Sequence, residues 1–431
     1  MRNLLRSRRG SVAFATVVAL VPLIGALALG GEAGSWYVTK QHAQNAADAA
    51  AYSGGLRLAC SVAGGVGCDT AQDYVYRGKQ FAAQNSFCNA GDTSYPGSRC
   101  PTNLPSGTTQ TVQIASLASW NGTSGNFVQA TVSQQQPAYL AKVLGMSTVT
   151  INATAVAEVQ NPIKPCVLAL GGPIIFQDNH GPACGFASNF AGPGAIDFTQ
   201  VSGSPVGIGL STAVGGCAGP AALCAIVRPY SQPVADPYTA LNAALSTLNL
   251  PACVGSAPVA YTTATPCANK NFNSSQPYTL SGTYFFSGTE FTMKGSANFT
   301  TVATGATIIL LPGATTGKSD HLTLTIKAPN ATPAALPASL QPYAALIGAT
   351  AIYNTETDAQ KFKGSTNITV NNGIQYYPNQ TFDFSGNPNM NINGCSELIA
   401  KKITLEGSMS FTQNGCPQSA KPLSQVVKLV Q

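Results

Sequence analysis

Ser11 to Gly31, SVAFATVVALVPLIGALALGG, runs for 21 residues without a charged side chain. A helix of that length covers roughly 30 Å, the hydrocarbon thickness of a bilayer. Arg6, Arg8 and Arg9 precede the run and Glu32 follows it, so the basic end is expected to stay cytoplasmic while the remaining chain crosses. Pro22 inside the run predicts a kink that does not prevent spanning. Trp36 and Tyr37 suit the aromatic belt at the outer interface. The alternative is a cleavable secretory signal, because Ala26-Leu27-Ala28 offers a small-x-small site behind a basic start. In both cases the bulk of the chain leaves the cytoplasm.

Directly behind this run the spacing changes character. Ala43, Ala46, Ala47, Ala50, Ala51 and Gly54 fall at i, i+3, i+4, i+7, i+8 and i+11, one side of a helix, while Gln41, Asn45, Asp48 and Tyr52 take another side. A stripe of small residues lets a second backbone approach closely. The expected occupant is a partner helix, with the chain's own sheet as the alternative.

The order of features from RSRRGSVAFATVVALVPLIGALALGGEAGSWYVTKQHAQNAADAAAYSG resembles the N-terminal region of TadE/TadG-like proteins of the tight-adherence, or Flp, pilus-assembly system. The residues that carry the resemblance are Gly10, Pro22, Glu32, Trp36, Tyr37, Gln44 and Asp48, the last within the alanine block Ala46 to Ala51. Pseudopilin members of that family have a glutamate five residues beyond the glycine, where this chain has Ala15, so the resemblance is to the TadG branch. The von Willebrand A domain of some TadG relatives is not expected, since Asp92-Thr93-Ser94-Tyr95-Pro96 and Asp383-Phe384-Ser385-Gly386-Asn387 both lack the final serine of its Asp-x-Ser-x-Ser metal site. The resemblance implies a bacterial inner-membrane protein with one span and a periplasmic or extracellular bulk. It also implies pilus-assembly or pseudopilin-like partners.

Four segments follow: a cytoplasmic basic tail (1–10), a transmembrane helix (11–31), the TadE/TadG-like helix with a small α/β membrane-proximal region (32–160) and a β-rich exported domain (161–431). In the third, Asp69 to Phe87 has helical spacing, although Gly78 sits on its apolar stripe. Alternation in Thr111 to Ser116 and Asn126 to Ser133 around NGTSGN predicts a hairpin. Pro137 to Gly145 reads as a short helix and Ser147 to Val159 as a long strand. In the fourth, short apolar runs recur between Gly and Asn turns, including YTLSGTYFFSG, HLTLTIKAP and NITVNNGIQYYP. They predict a β-solenoid or parallel β-helix, with a β-sandwich as the alternative. Tyr238 to Leu248 is the one helical pattern there.

All twelve cysteines lie beyond the apolar run, an even set that reads as disulfides in an oxidising space. The sequence leaves the connectivity open; pairing of neighbours would give Cys60–Cys68, Cys88–Cys100, Cys166–Cys184, Cys217–Cys224, Cys253–Cys267 and Cys395–Cys416. No C-x-x-C occurs, and His42, His180 and His321 are scattered, so neither metal nor cofactor is expected. Asp178, His180 and Cys184 form only a glycine-rich turn.

The net charge of +6 is mostly terminal: Arg2, Arg6, Arg8 and Arg9 leave 18 basic against 16 acidic residues, too balanced for a nucleic-acid face. No hydrolase, zincin, Walker or dinucleotide motif appears. Asp320, Glu356, Asp358 and Asp383 are dispersed. The expected function is non-enzymatic, membrane-anchored pilus assembly or adherence. The alternatives are a surface adhesin unrelated to pili and a β-helix enzyme acting on envelope polysaccharide.

Overall fold

A computed structural model describes residues 8–63, 71–160, 164–177, 184–201, 208–270, 273–274, 276–288, 292–293, 298–314, 323–329, 331–357, 360–363, 367–385, 395–406, 411, 416–417, 420, 422, 424 and 426–430. The chain divides into two compact units. The first comprises Met1–Val62, Asp69–Gln160 and Val427–Gln431, and the second Ala63–Cys68 and Asn161–Val426.

In the first unit, helix α1 (Arg8–Ala63) is continuous through Pro22. Helix α2 (Tyr74–Gln84) is shorter than the predicted Asp69–Phe87; Asp73 caps it by accepting from the Tyr76 N–H, and Asn85 ends it. Strands β1 (Thr109–Trp120), β2 (Thr123–Pro137) and β3 (Thr148–Val159) form an antiparallel sheet. Asn121 and Gly122 turn β1 into β2 with φ of 45° and 79°, the left-handed pair that a two-residue hairpin turn needs. The helix expected over Pro137–Gly145 contracts to a 3-10 turn, Ala141–Leu144, closed by Gly145 at φ 87°.

The fourth strand of this sheet, Val427–Leu429, pairs antiparallel with β3 at Ala157 to Val159. The last residues of the expected segment 161–431 thus group with the first unit. Gly55 makes the return possible: a Cβ there would stand 2.9 Å from Val427 Cγ1 and 3.2 Å from Ala157 Cβ.

The second unit is mainly β. Its first strands are β4 (Pro165–Ala169), β5 (Ile174–Phe176), β6 (Gly185–Ser188), β7 (Ile196–Asp197), β8 (Ser211–Ala213), β9 (Cys217–Ala218) and β10 (Val227–Arg228). Then come β11 (Asn269–Lys270), β12 (Asn273–Ser274), β13 (Tyr278–Ser287), β14 (Thr292–Met293), β15 (Asn298–Leu310), β16 (Thr323–Lys327), β17 (Thr350–Asn354), β18 (Gln360–Lys363), β19 (Asn367–Ser385) and β20 (Ser396–Leu405). β12 and β14 pair with each other, and the others form one 15-stranded sheet.

Pairing among the described strands of the large sheet is parallel throughout, which an antiparallel sandwich does not accommodate. Register stacks like positions. Phe285, Ile309, Tyr353, Tyr376, Ile399, Leu168 and Ala187 form one column across successive strands. It is covered by α4 (Thr239–Ser246) and α5 (Ala344–Ala349) through Leu241, Leu245, Leu346 and Ile347; α3 (Ala221–Cys224) is a single turn elsewhere. The adjacent column, Tyr284, Ile308, Ile352, Gln375, Leu398, Val167 and Phe186, points to the opposite face. With both faces buried, these strands are apolar without strict alternation.

Five of the six expected disulfides are present, Cys88–Cys100, Cys166–Cys184, Cys217–Cys224, Cys253–Cys267 and Cys395–Cys416, with Cα separations of 4.7–6.2 Å. Cys60 is also disulfide-bonded, and its expected partner Cys68 lies outside the described residues.

Candidate functional site

Helix α1 changes its surroundings along its length. Among the described residues from Ala15 to His42 none is buried, and Val18, Leu20 and Leu23 are 48–60% exposed. From Ala43 onward the picture reverses: Ala43, Ala46, Ala47, Ala50 and Ala51 have no exposed surface. They pack with Ala82 of α2, Val112 of β1, Ala130 and Val132 of β2, and Ala153, Ala155 and Ala157 of β3. Gly54 continues the stripe, since a Cβ there would stand 3.0 Å from Val128 Cγ1 and 3.2 Å from the Tyr74 carbonyl. The close neighbour that the small residues admit is therefore the chain's own sheet, and no partner helix is needed to bury them. Alanine facing alanine brings helix and sheet close enough for dense dispersion contact.

Polar residues of α1 fasten the same packing at its margin. The Glu32 carboxylate accepts three backbone N–H groups, from Tyr139 at 2.6 Å, Leu140 at 3.0 Å and Ala141 at 2.8 Å, and so caps the 3-10 turn from another element. Lys40 Nζ donates to the Asn152 carbonyl, and Gln44 Nε2 donates to the Thr154 carbonyl at 3.3 Å and to Asp48 Oδ1 at 2.9 Å. Asn152 and Thr154 belong to the stretch of β3 that the terminal strand leaves uncovered, so these side chains occupy a free sheet edge. Asn89 does the same for β1: its Oδ1 accepts from the Val112 N–H at 2.7 Å and its Nδ2 donates to the Val112 carbonyl at 3.1 Å.

The site residues read from the sequence thus separate. Glu32, Gln44, Asp48 and the alanines converge on one interface inside the first unit. Gly10 and Pro22 lie in the half of α1 where nothing described is buried; Trp36 is half-buried and Tyr37 is 66% exposed. Among the described residues no helix is long and apolar enough to cross a membrane. The expected span Ser11–Gly31 includes side chains outside the described set, at Ser11, Val12, Ala13, Phe14, Val17, Val21, Ile24, Leu27 and Ala28.

Residues 10–72 match a family model described as putative Flp pilus-assembly TadE/G-like. The N-terminal region is TadE/G-like. The match takes in α1 from Gly10 onward and stops before α2, so the motif residues that fasten α1 all fall within it. Comparison with curated proteins and with solved structures finds no match.

Beyond the TadE/G-like region, sequence reasoning missed a polar cluster in the second unit. Tyr376 Oη donates to Asp236 Oδ2 at 2.7 Å and accepts from Asn242 Nδ2 at 2.6 Å, while Tyr353 Oη donates to Asn242 Oδ1 at 2.7 Å. Tyr238 stacks on Tyr376 with ring centroids 4.1 Å apart, shares a 2.6 Å hydrogen bond with the Thr350 hydroxyl, and donates its N–H to Asp236 Oδ1. Burial raises the Asp236 carboxyl above the usual carboxylate range, against the opposing hydrogen bonds from Tyr376 and the Tyr238 N–H. Burial raises the Tyr238, Tyr353 and Tyr376 phenols too. Each group is engaged by its neighbours, and the cluster holds α4 against the sheet. Of the acids weighed from the sequence, Glu356 and Asp383 are partly exposed, and Asp320 and Asp358 lie outside the described residues, as do Asp178, His180 and His321. Among the described residues no group of three or more His, Cys, Asp or Glu gathers to hold a metal ion.

Proposed function

We propose that this chain is a non-enzymatic, membrane-anchored component of Flp/Tad-type pilus assembly, of the TadG branch. In this reading α1 serves two roles, with Glu32 at the division. The apolar residues before it anchor the chain in the bacterial inner membrane, with the N-terminus cytoplasmic. The residues after it belong to a folded, disulfide-linked body in the periplasm or outside the cell. The observation that carries the reading is that the family's motif residues, Glu32, Gln44, Asp48 and the alanine block, fix a helix whose preceding half offers unburied apolar side chains. A helix held rigidly at one end transmits position between membrane and body, which suits tethering.

The parallel pairing of the second unit's described strands supports a solenoid, whose stacked strands provide an extended surface for pilus-assembly or pseudopilin-like proteins. A strain lacking the chain tests the function: loss of surface pili and of adherence, restored by the intact chain, is the expected result. Normal piliation and adherence in that strain would overturn the reading.

A further inference from the structure

The connection between β2 and β3 carries an unused surface. Ala138 and Ala141 are buried inward, whereas Tyr139 is 73% exposed, Leu140 43% and Met146 44%, with the cation Lys142 exposed among them. The loop is a built structure: Ala138 N–H donates to the Ser147 carbonyl, Gly145 N–H to the Lys142 carbonyl and Met146 N–H to the Ala141 carbonyl. Its backbone at Tyr139, Leu140 and Ala141 is tied to Glu32, the first residue after the apolar run. Three large apolar side chains and one cation are thus held rigidly outward at the level where α1 ceases to be apolar.

We propose that the Ala138–Met146 loop is a second membrane contact, seated on the phospholipid surface from which α1 emerges. Tyr139, Leu140 and Met146 enter the boundary between headgroups and acyl chains, and Lys142 meets lipid phosphates, an arrangement that suits amphipathic side chains at an interface. The proposal rests on the anchoring role of α1, and it commits to lipid as the occupant because the patch continues that apolar helix. Two contacts fix the tilt of the first unit on the bilayer, which one helix alone does not.

The test uses the full chain in vesicles of phosphatidylcholine and phosphatidylglycerol containing acyl-brominated lipid, which quenches nearby tryptophan. The sequence has two tryptophans, Trp36 and Trp120. Trp120→Phe leaves Trp36 as reporter of the anchor; Trp36→Phe leaves Trp120 as the control, beside the Thr123 end of β2 and so at the opposite end of that strand from the loop; and Trp36→Phe with Trp120→Phe gives a background for a probe introduced by Tyr139→Trp. The expected result is loss of emission from Trp36 and from the position-139 probe, with the Trp120 control unaffected. Adding Glu32→Ala should restore emission at position 139 in the probe background and leave Trp36 quenched in the Trp120→Phe chain bearing Glu32→Ala with native Tyr139. Quenching of Trp36 without the position-139 probe would overturn this proposal and spare the anchor. Quenching of neither would overturn both.

Discussion

Replacing Ala47 and Ala50 with leucine distinguishes a stripe that serves the chain's own fold from one reserved for a partner. Both alanines have no exposed surface, and their neighbours across the interface include Ala130, Ala153, Ala155 and Ala157. Each leucine adds three carbons where only a methyl group fits. Inserting carbon into a packed core costs typically about 1–3 kcal/mol, through forced rotamers and backbone shifts. For amides that exchange by opening of this unit, that cost accelerates exchange by roughly 5- to 150-fold per substitution. Hydrogen exchange read by mass spectrometry on the full chain resolves the effect by peptide. Peptides from β1 to β3 and from Ala43 to Ala59 should lose protection, while β19 and β20 keep theirs. Unchanged exchange in β1 to β3, with a defect only in pilus assembly, would refute the reasoning, because the stripe would then tolerate leucine within its own fold.

Three further perturbations follow from the same packing and hydrogen bonding. A Cβ on Gly78 would stand 2.8 Å from Ile114 Cδ1, 2.9 Å from Cγ1 and 3.1 Å from Cγ2, so Gly78→Ala should destabilise the first unit by about 1–2 kcal/mol despite its better helix propensity, and Ile114→Ala in the same chain should cost less than it does alone. Asn89→Ala removes both hydrogen bonds to Val112 and should cost about 1–3 kcal/mol in denaturant unfolding, whereas Asn89→Asp should lose less because it keeps an acceptor for the Val112 N–H. The raised Asp236 carboxyl contributes stability that is fully present below the ordinary aspartate value and is lost as pH rises through its native value. Asp236→Asn should therefore gain on the parent chain as pH climbs above about 4, and parallel stability curves would contradict the assignment.

How far the sequence reveals this arrangement depends on how local each signal is. The apolar and alanine runs of α1 and the left-handed turn at Asn121-Gly122 are written in short strings, whereas the disulfides join cysteines 7 to 21 positions apart, whose pairing the sequence alone leaves open. The partner of the alanine stripe is legible only by pairing two strings. NATAVAEV places Ala153, Ala155 and Ala157 on one side of β3, a small-residue strip complementary to the helix. The Asp236 cluster had no local signal, since its hydrogen bonds between side chains join residues 111 to 140 positions apart. Its nearest trace is the likeness of AIYN and IQYY, the strings that stack Tyr353 on Tyr376. Strands of two or three residues such as β5, β7 and β9 carry too little pattern to be read, and the return of Val427–Leu429 to β3 is fixed by the space at Gly55, about 370 positions away in sequence.

The division of α1 at Glu32 is the central claim, and epitope access in intact spheroplasts tests it most directly. Tags are placed before Met1 and after Gln431 on otherwise native chains. Antibody should reach the C-terminal tag without permeabilisation and the N-terminal tag only after it. Access to both tags in intact spheroplasts, or to neither, would contradict a helix that leaves the membrane at Glu32 and enters an exported fold.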